Sequence, residues 1–296
     1  MTLRALRVLA ALTALAPAAD AAQRPSLAES RSWMCYYGPS VSTRTWRSLS
    51  LAVLDPDAFS DASAAGPFKL AYVSAGEAND YRSYWKDISS APYIVEANSD
   101  WRGDHRIDIR AGAWRSILKG KVIPEARAKG YQGVMLDTLD VAEYLESSSP
   151  ARFAGSVRAA GDFILDLRAN DDGMLILINN ALPLLERVGD AVDGVVVEDL
   201  YTRCQPEPGS CGPTPEDVAV EKERLLKRFH AKTGNPVFVV LYSRIKQQND
   251  RWVRKAVRRS VANGFLPYLA TPALDRVGII APGGRDASDA GGRIRQ

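Results

Sequence analysis

The sequence has 296 residues, 46% hydrophobic and 25% charged, which is enough for one large packed domain and excludes a disordered chain or a disulfide-dense miniprotein. The formal net charge of +3 comes largely from the two ends, and a nearly neutral body argues against a nucleic-acid binder. With only His105 and His230 and three scattered cysteines, a three-histidine zinc site, a zinc ribbon and an iron–sulfur cluster are excluded. No metal or cofactor is therefore expected, and carboxylates are the reagents at hand.

Arg4 and Arg7, the apolar stretch Val8 to Ala16 and the small-residue group Ala19-Asp20-Ala21 follow the order of a secretory signal peptide, here residues 1–21. No later stretch approaches the ~20 apolar residues of a membrane span. The reading is a secreted or periplasmic protein after cleavage, a monomer, with its domain over residues 22–281. The last stretch, residues 282–296, is rich in Gly, Arg and Asp and reads as a disordered tail.

Eight short apolar runs follow one another: Trp33–Gly38, Leu51–Asp55, Leu70–Ser74, Val134–Asp137, Met174–Asn179, Val195–Glu198, Val237–Tyr242 and Leu266–Ala270. They are nearly continuously apolar, as parallel strands covered on both faces should be. Helical patterns lie between them. Phe153, Val157, Ala160, Ile164 and Leu167 share one face. A second helix is framed by Thr214 as cap, Pro215 at its first position, Asp217 closing a capping box and Gly234 as stop. A third runs from about Asn249 to Ala262, ending before Gly264.

Eight β-then-α units in a chain of this size predict an α/β fold, a single-domain (β/α)8 TIM barrel, rather than a doubly wound sheet. No GxGxxG or P-loop pattern follows any strand. The segment from Glu77 to about Ala113 predicts a long loop after strand 3, far beyond the usual ~2–6 residues. Cys204 and Cys211 bracket a Pro/Gly-rich loop and can form a short disulfide in an exported chain, whereas Cys35 reads as a buried free thiol.

In such a barrel catalytic side chains come from the C-terminal ends of strands. Asp55, Glu77, Asp137, Asp140, Glu198 and Asp199 all lie there. The pair singled out is Asp137, in Gly133-Val-Met-Leu-Asp137, and Glu198, in Gly194-Val-Val-Val-Glu198, because both segments run glycine, three apolar residues, carboxylate. That spacing puts the two carboxyls at one height two strands apart, about 9–10 Å between backbones at ~4.8 Å per strand. Paired carboxyls suit glycoside cleavage, one protonating the leaving oxygen and the other meeting the oxocarbenium-like centre, at ~5–5.5 Å in retaining enzymes and ~6.5–9.5 Å in inverting ones. Sugar-binding candidates on the rim are Tyr36, Tyr72, Tyr201 and Tyr242, with Trp101 from the long loop, the acids Asp55, Glu77, Asp100 and Asp140, and the amide of Asn180. Val73-Ser74-Ala75-Gly76 is only half a nucleophile elbow, and neither histidine follows a late strand, which argues against a serine hydrolase.

The segments Ala71-Tyr-Val-Ser-Ala-Gly-Glu77, Tyr81-Arg-Ser-Tyr-Trp85, Asn98-Ser-Asp-Trp101 and Gly130-Tyr-Gln-Gly-Val-Met-Leu-Asp-Thr-Leu-Asp140 resemble glycoside hydrolase family 114, the endo-α-1,4-polygalactosaminidases. The resemblance spans about Trp33 to Ala270. It implies a (β/α)8 barrel that cleaves α-1,4-linked galactosamine polymers, including partly de-N-acetylated exopolysaccharides of biofilms. It also places Asp137 as nucleophile and Glu198 as acid/base. The partner expected is thus an amino-sugar polysaccharide, whose positive charge the acidic rim would attract. Two other readings stand beside this one: a non-catalytic carbohydrate-binding barrel serving polysaccharide export or matrix assembly, and a hydrolase of another α-glycoside.

Overall fold

The computed structural model describes residues 24–59, 62–205 and 210–280. The signal peptide and the tail expected from the sequence lie outside the described residues.

The strands are β1 (Trp33–Tyr36), β2 (Leu51–Leu54), β3 (Phe68–Ser74), β4 (Glu77–Asn79), β5 (Ile94–Ala97), β6 (Asp104–Ile107), β7 (Gly133–Asp137), β8 (Leu175–Asn179), β9 (Gly194–Val197), β10 (Thr202–Cys204), β11 (Cys211–Pro213), β12 (Val237–Tyr242), β13 (Leu266–Ala270) and β14 (Ile279–Ile280). Eight of them, β1, β2, β3, β7, β8, β9, β12 and β13, pair in that order, all parallel. These are the eight runs read from the sequence, and the molecule is a (β/α)8 barrel. At the seam the indole of Trp33 on β1 donates to the carbonyl of Leu266 on β13 at 2.8 Å. The Trp33 ring packs between Phe238 and Tyr268, with centroids at 5.1 and 5.6 Å. Short β14 folds back antiparallel on β13.

Every residue of β1, β2, β8, β9, β12 and β13 is buried. A strand with helices outside and its own barrel inside has no solvent face, so its sequence shows no alternation. Two glycines let strands approach closely. A Cβ on Gly133 would lie 2.0 Å from the Leu175 carbonyl oxygen of the neighbouring strand, and one on Gly194 would meet the Pro236 carbonyl at 2.9 Å.

Three local expectations change. The apolar stripe from Phe153 to Leu167 is split, because Gly155 adopts a left-handed conformation (φ 84°) between the short helix Pro150–Phe153 and the long one Ser156–Asn170. Glu146 seals the new start by accepting from the backbone N–H groups of Gly155 and Val157, both at 2.9 Å. The next helix, Glu216–Thr233, begins one residue late, with Pro215 at the cap. The Thr214 hydroxyl instead donates to the Asp199 carbonyl at 3.1 Å, tying the helix start to the chain just past Glu198. The segment after β3 is not an irregular loop either. It folds into a three-stranded antiparallel sheet, β4-β6-β5, that stands over the barrel mouth. Cys204 and Cys211 are bonded at the loop end of the β10–β11 hairpin, and Cys35 is buried and free.

Candidate active site

The barrel's C-terminal face opens into a cleft of about 500 Å³. Asp137 ends β7, Asn179 ends β8 and Glu198 follows β9, so three successive strands each contribute one polar side chain. The ladder register sets Leu136 opposite Ile178 and Asn179 opposite Val196, which leaves Glu198 two residues further along its strand than Asp137. In an eight-stranded barrel of shear eight, neighbouring strands slip by about one residue each. Two strands over, a two-residue advance restores the same height along the barrel axis, so the matched spacing from Gly133 and Gly194 does level the two carboxyls.

The Asn179 side-chain amide lies between them, donating to Asp137 Oδ1 at 2.8 Å and to Glu198 Oε1 at 3.2 Å. Two oxygens that share one nitrogen at these lengths lie no more than about 6 Å apart, close to the ~5–5.5 Å of carboxyls that work through a covalent intermediate. Each carboxylate also receives a phenol: Tyr72 bonds to Asp137 and Tyr242 to Glu198. Tyr37 packs edge-on against Tyr72, centroids 4.9 Å apart. Thr138, Asn180 and Asp199, the residues immediately after the three strand-end groups, all have positive φ (59°, 49° and 53°). This left-handed turn is uncommon for residues other than glycine, and it swings the chain away while leaving each functional side chain at the strand tip. Asn180 then braces the site by accepting from the Glu198 backbone N–H at 3.0 Å.

Burial pushes the Glu198 carboxyl well above the ordinary carboxylate range, and the charge of Asp137 pushes it the same way. The Tyr242 hydroxyl partly opposes them by stabilising the ionised form. Burial and the Asp137 charge both favour the protonated form of Glu198. Glu77, 3% exposed, is pushed up to about 7, first by burial and then by Asp104 and Asp137, although Asn98 donates to its Oε1 at 2.8 Å. Asp104 is raised by burial while accepting from Asn79 at 2.6 Å.

Of the residues expected to bind sugar, Asp55, Tyr72, Glu77, Trp101, Asp140, Asn180 and Tyr242 line this cleft. Asp55 is already engaged, because both of its oxygens bind the Arg82 guanidinium, at 2.8 and 2.9 Å. Tyr36, Asp100 and Tyr201 are not among the lining residues. Tyr36 is one residue out of phase along the pleat: its hydroxyl bonds to the Ser40 carbonyl, and Tyr37 faces the cleft instead. Asp100 is exposed on the turn between β5 and β6. The Tyr201 hydroxyl donates to Glu223 and accepts from Asn263, joining two outer helices. Sequence reasoning missed Asp104, Asn79, Arg106 and Tyr144, which enter the cleft only because the β4-β6-β5 sheet and the helix after β7 lean over it.

Proton donation from one carboxyl, with a second carboxyl close enough to meet the resulting charge, is the chemistry of glycoside cleavage, and a barrel carrying it at its strand tips falls in the class of (β/α)8 glycoside hydrolases. The chain belongs to glycoside-hydrolase family GH114, whose sequence profile matches residues 13–285. It is 26% identical over 282 residues to a Deinococcus radiodurans protein described as uncharacterized, an alignment covering 88% of this chain and 87% of that one. Its fold is similar to that of the glycoside hydrolase domain of PelA from Pseudomonas aeruginosa (TM-score 0.73, 22% identity, 84% of this chain and 98% of that one). It is also similar to Aspergillus fumigatus Ega3, solved in complex with galactosamine (TM-score 0.64, 18% identity, 90% of this chain and 100% of that one). No helix among the described residues is long and apolar enough to cross a membrane.

Proposed function

We propose that the protein is an exported, endo-acting hydrolase of α-1,4-linked galactosamine-containing polysaccharide that retains anomeric configuration. The observation that carries the reading is the Asn179 amide shared by Asp137 and Glu198, which keeps the two bonded oxygens within about 6 Å, nearer the ~5–5.5 Å of retaining enzymes than most of the ~6.5–9.5 Å range of inverting ones. In the first step Glu198 gives its proton to the glycosidic oxygen as the C–O bond breaks, and an Asp137 oxygen bonds to the anomeric carbon. In the second a water attacks that carbon, Glu198 takes the water's proton, and Asp137 leaves as carboxylate.

Charge supports the amino sugar. Asp55, Glu77, Asp104, Asp137, Asp140 and Glu198 line the cleft, against Arg106 as the one cationic side chain among the described residues of its lining. Asn79 Oδ1 and Asn179 Oδ1 are buried in its walls without a hydrogen-bond partner, two acceptors suited to a hydroxyl or an ammonium group. Tyr81, Trp101 and Tyr144 stand exposed on the rim, where rings can stack on successive sugars of a long chain. That Ega3 was solved with galactosamine agrees with this choice of sugar. Export is supported by the order of residues 1–21 and by the disulfide, which persists in oxidising compartments.

Proton NMR of the first product tests the stereochemistry. The α anomer is expected from a partly de-N-acetylated α-1,4-galactosamine oligomer, and Asp137→Asn and Glu198→Gln should each lower the rate by at least ~10³-fold. Initial release of the β anomer would contradict retention, and wild-type rates in either variant would remove that residue from the chemistry.

A further inference from the structure

A second cleft, of about 530 Å³ against about 500 Å³ for the catalytic one, opens on the other side of the chain segment that follows β13. Pro272, Ala273 and Leu274 line the catalytic cleft, while Thr271 and Arg276 line the second, so one short strap is the wall between them. The strap is pinned. Leu274 has a left-handed backbone (φ 52°), its N–H donates to the Thr271 carbonyl at 3.1 Å, and its carbonyl accepts from the Tyr37 N–H at 2.8 Å.

The two clefts have opposite chemistry. Six carboxyl side chains line the first; among the described residues none lines the second, which carries the guanidinium groups of Arg44 and Arg276. Both arginines are exposed, and among the described residues no carboxylate lies within ion-pair distance of either. Two cations facing one cavity repel unless a counter-charge joins them. The remaining walls complete a ligand site: Gln248 is a side-chain amide, Thr271 carries a buried hydroxyl with no partner, and Ile245 and Val277 give exposed apolar surface, 56% and 39% accessible, for a sugar face.

We propose that this second cleft binds a hexose-sized ligand bearing a carboxylate or phosphate, held by Arg44 and Arg276 through charge-assisted hydrogen bonds. The catalytic cleft would reject that ligand on charge, so the two sites sort sugars by sign across a single strap. The site is independent of the hydrolytic reaction.

The test is a ligand-observed NMR titration at fixed ionic strength with galacturonate, galactose 6-phosphate and neutral galactose, on the wild type and an Arg44→Gln/Arg276→Gln variant. Binding of either anionic sugar is expected, with the preferred one identifying the source of the charge, and galactose should bind at least ~10-fold more weakly than it. The variant should lose a similar factor for the anion while its melting temperature and its hydrolysis of the polymer stay at wild-type values. Equal anion binding by the variant, galactose binding as tightly as the anions, or no anion binding at millimolar concentrations would each overturn the proposal. Because binding is read without turnover, its failure is distinct from a failure of the hydrolase reading.

Discussion

Burial and its neighbours set the protonation of Glu198, each in a known direction. Burial and the Asp137 charge disfavour its ionised form, while the Tyr242 hydroxyl favours it. Removing that hydroxyl by Tyr242→Phe should therefore move the alkaline limb of the kcat/KM profile to higher pH, since the acid role proposed for Glu198 requires its protonated form. Removing the charge by Asp137→Asn should shift the Glu198 carboxyl titration, followed by infrared spectroscopy, to lower pH. A limb that moves down in Tyr242→Phe would show that Glu198 is not the acid. Glu77 gives a stability prediction. Its folded-state value of about 7 lies above the ordinary 4.5, so the folded protein binds the extra proton and stability falls as pH rises from about 4.5 through about 7. Glu77→Gln preserves an acceptor for Asn98 and cannot ionise. It should melt no differently from wild type at pH 4, and roughly 2–4 °C higher at pH 8, the scale of ~1 kcal/mol in a domain of this size. A variant that melts below wild type at pH 8 would contradict the assignment.

At the scale of elements, glycine spacing carries the geometry. Gly133 starts β7 where a Cβ would strike the backbone of β8, and Asp137 is four residues on; Gly194 starts β9, and Glu198 is four residues on. Gly133→Ala should cost about 1–3 kcal/mol by overpacking and, because β7 must shift, reduce kcat as well. Thermal melting and initial rates check this together, and unchanged values for both would show that β7 is not held by that contact. The same repeated spacing made the pair legible in the sequence, as did the unbroken apolar strands that only a sheet covered on both sides produces. The β4-β6-β5 sheet was not legible. Its strands read Glu-Ala-Asn, Asp-His-Arg-Ile and Ile-Val-Glu-Ala, only three or four residues each and mixing polar with apolar side chains, without the unbroken apolar run of the barrel strands. Asp104 and Arg106 therefore gave no strand-end signal. An apolar run without alternation hides that Tyr37 rather than Tyr36 points inward, and nothing in the sequence shows that a left-handed turn at Asp199 carries Tyr201 out of the cleft.

The whole molecule is close to neutral outside its ends, yet its charge is sorted: acids crowd one mouth, and two arginines with no ion-pair partner among the described residues face the cleft beside it. Folding sustains the crowding by spreading it over donors, with Asn179, Tyr72 and Tyr242 serving the pair, Asn98 serving Glu77 and Arg82 neutralising Asp55. A positively charged polymer drawn into that mouth would meet Asp137 and Glu198 at its floor. Incubation of the purified protein with partly de-N-acetylated α-1,4-galactosamine polymer, beside Glu198→Gln and with product sizes read by mass spectrometry, tests this most directly. A ladder of internal-cleavage oligosaccharides from the wild type and intact polymer from the variant are the predicted results. Polymer left intact by the wild type, or the same ladder from both proteins, would contradict the account.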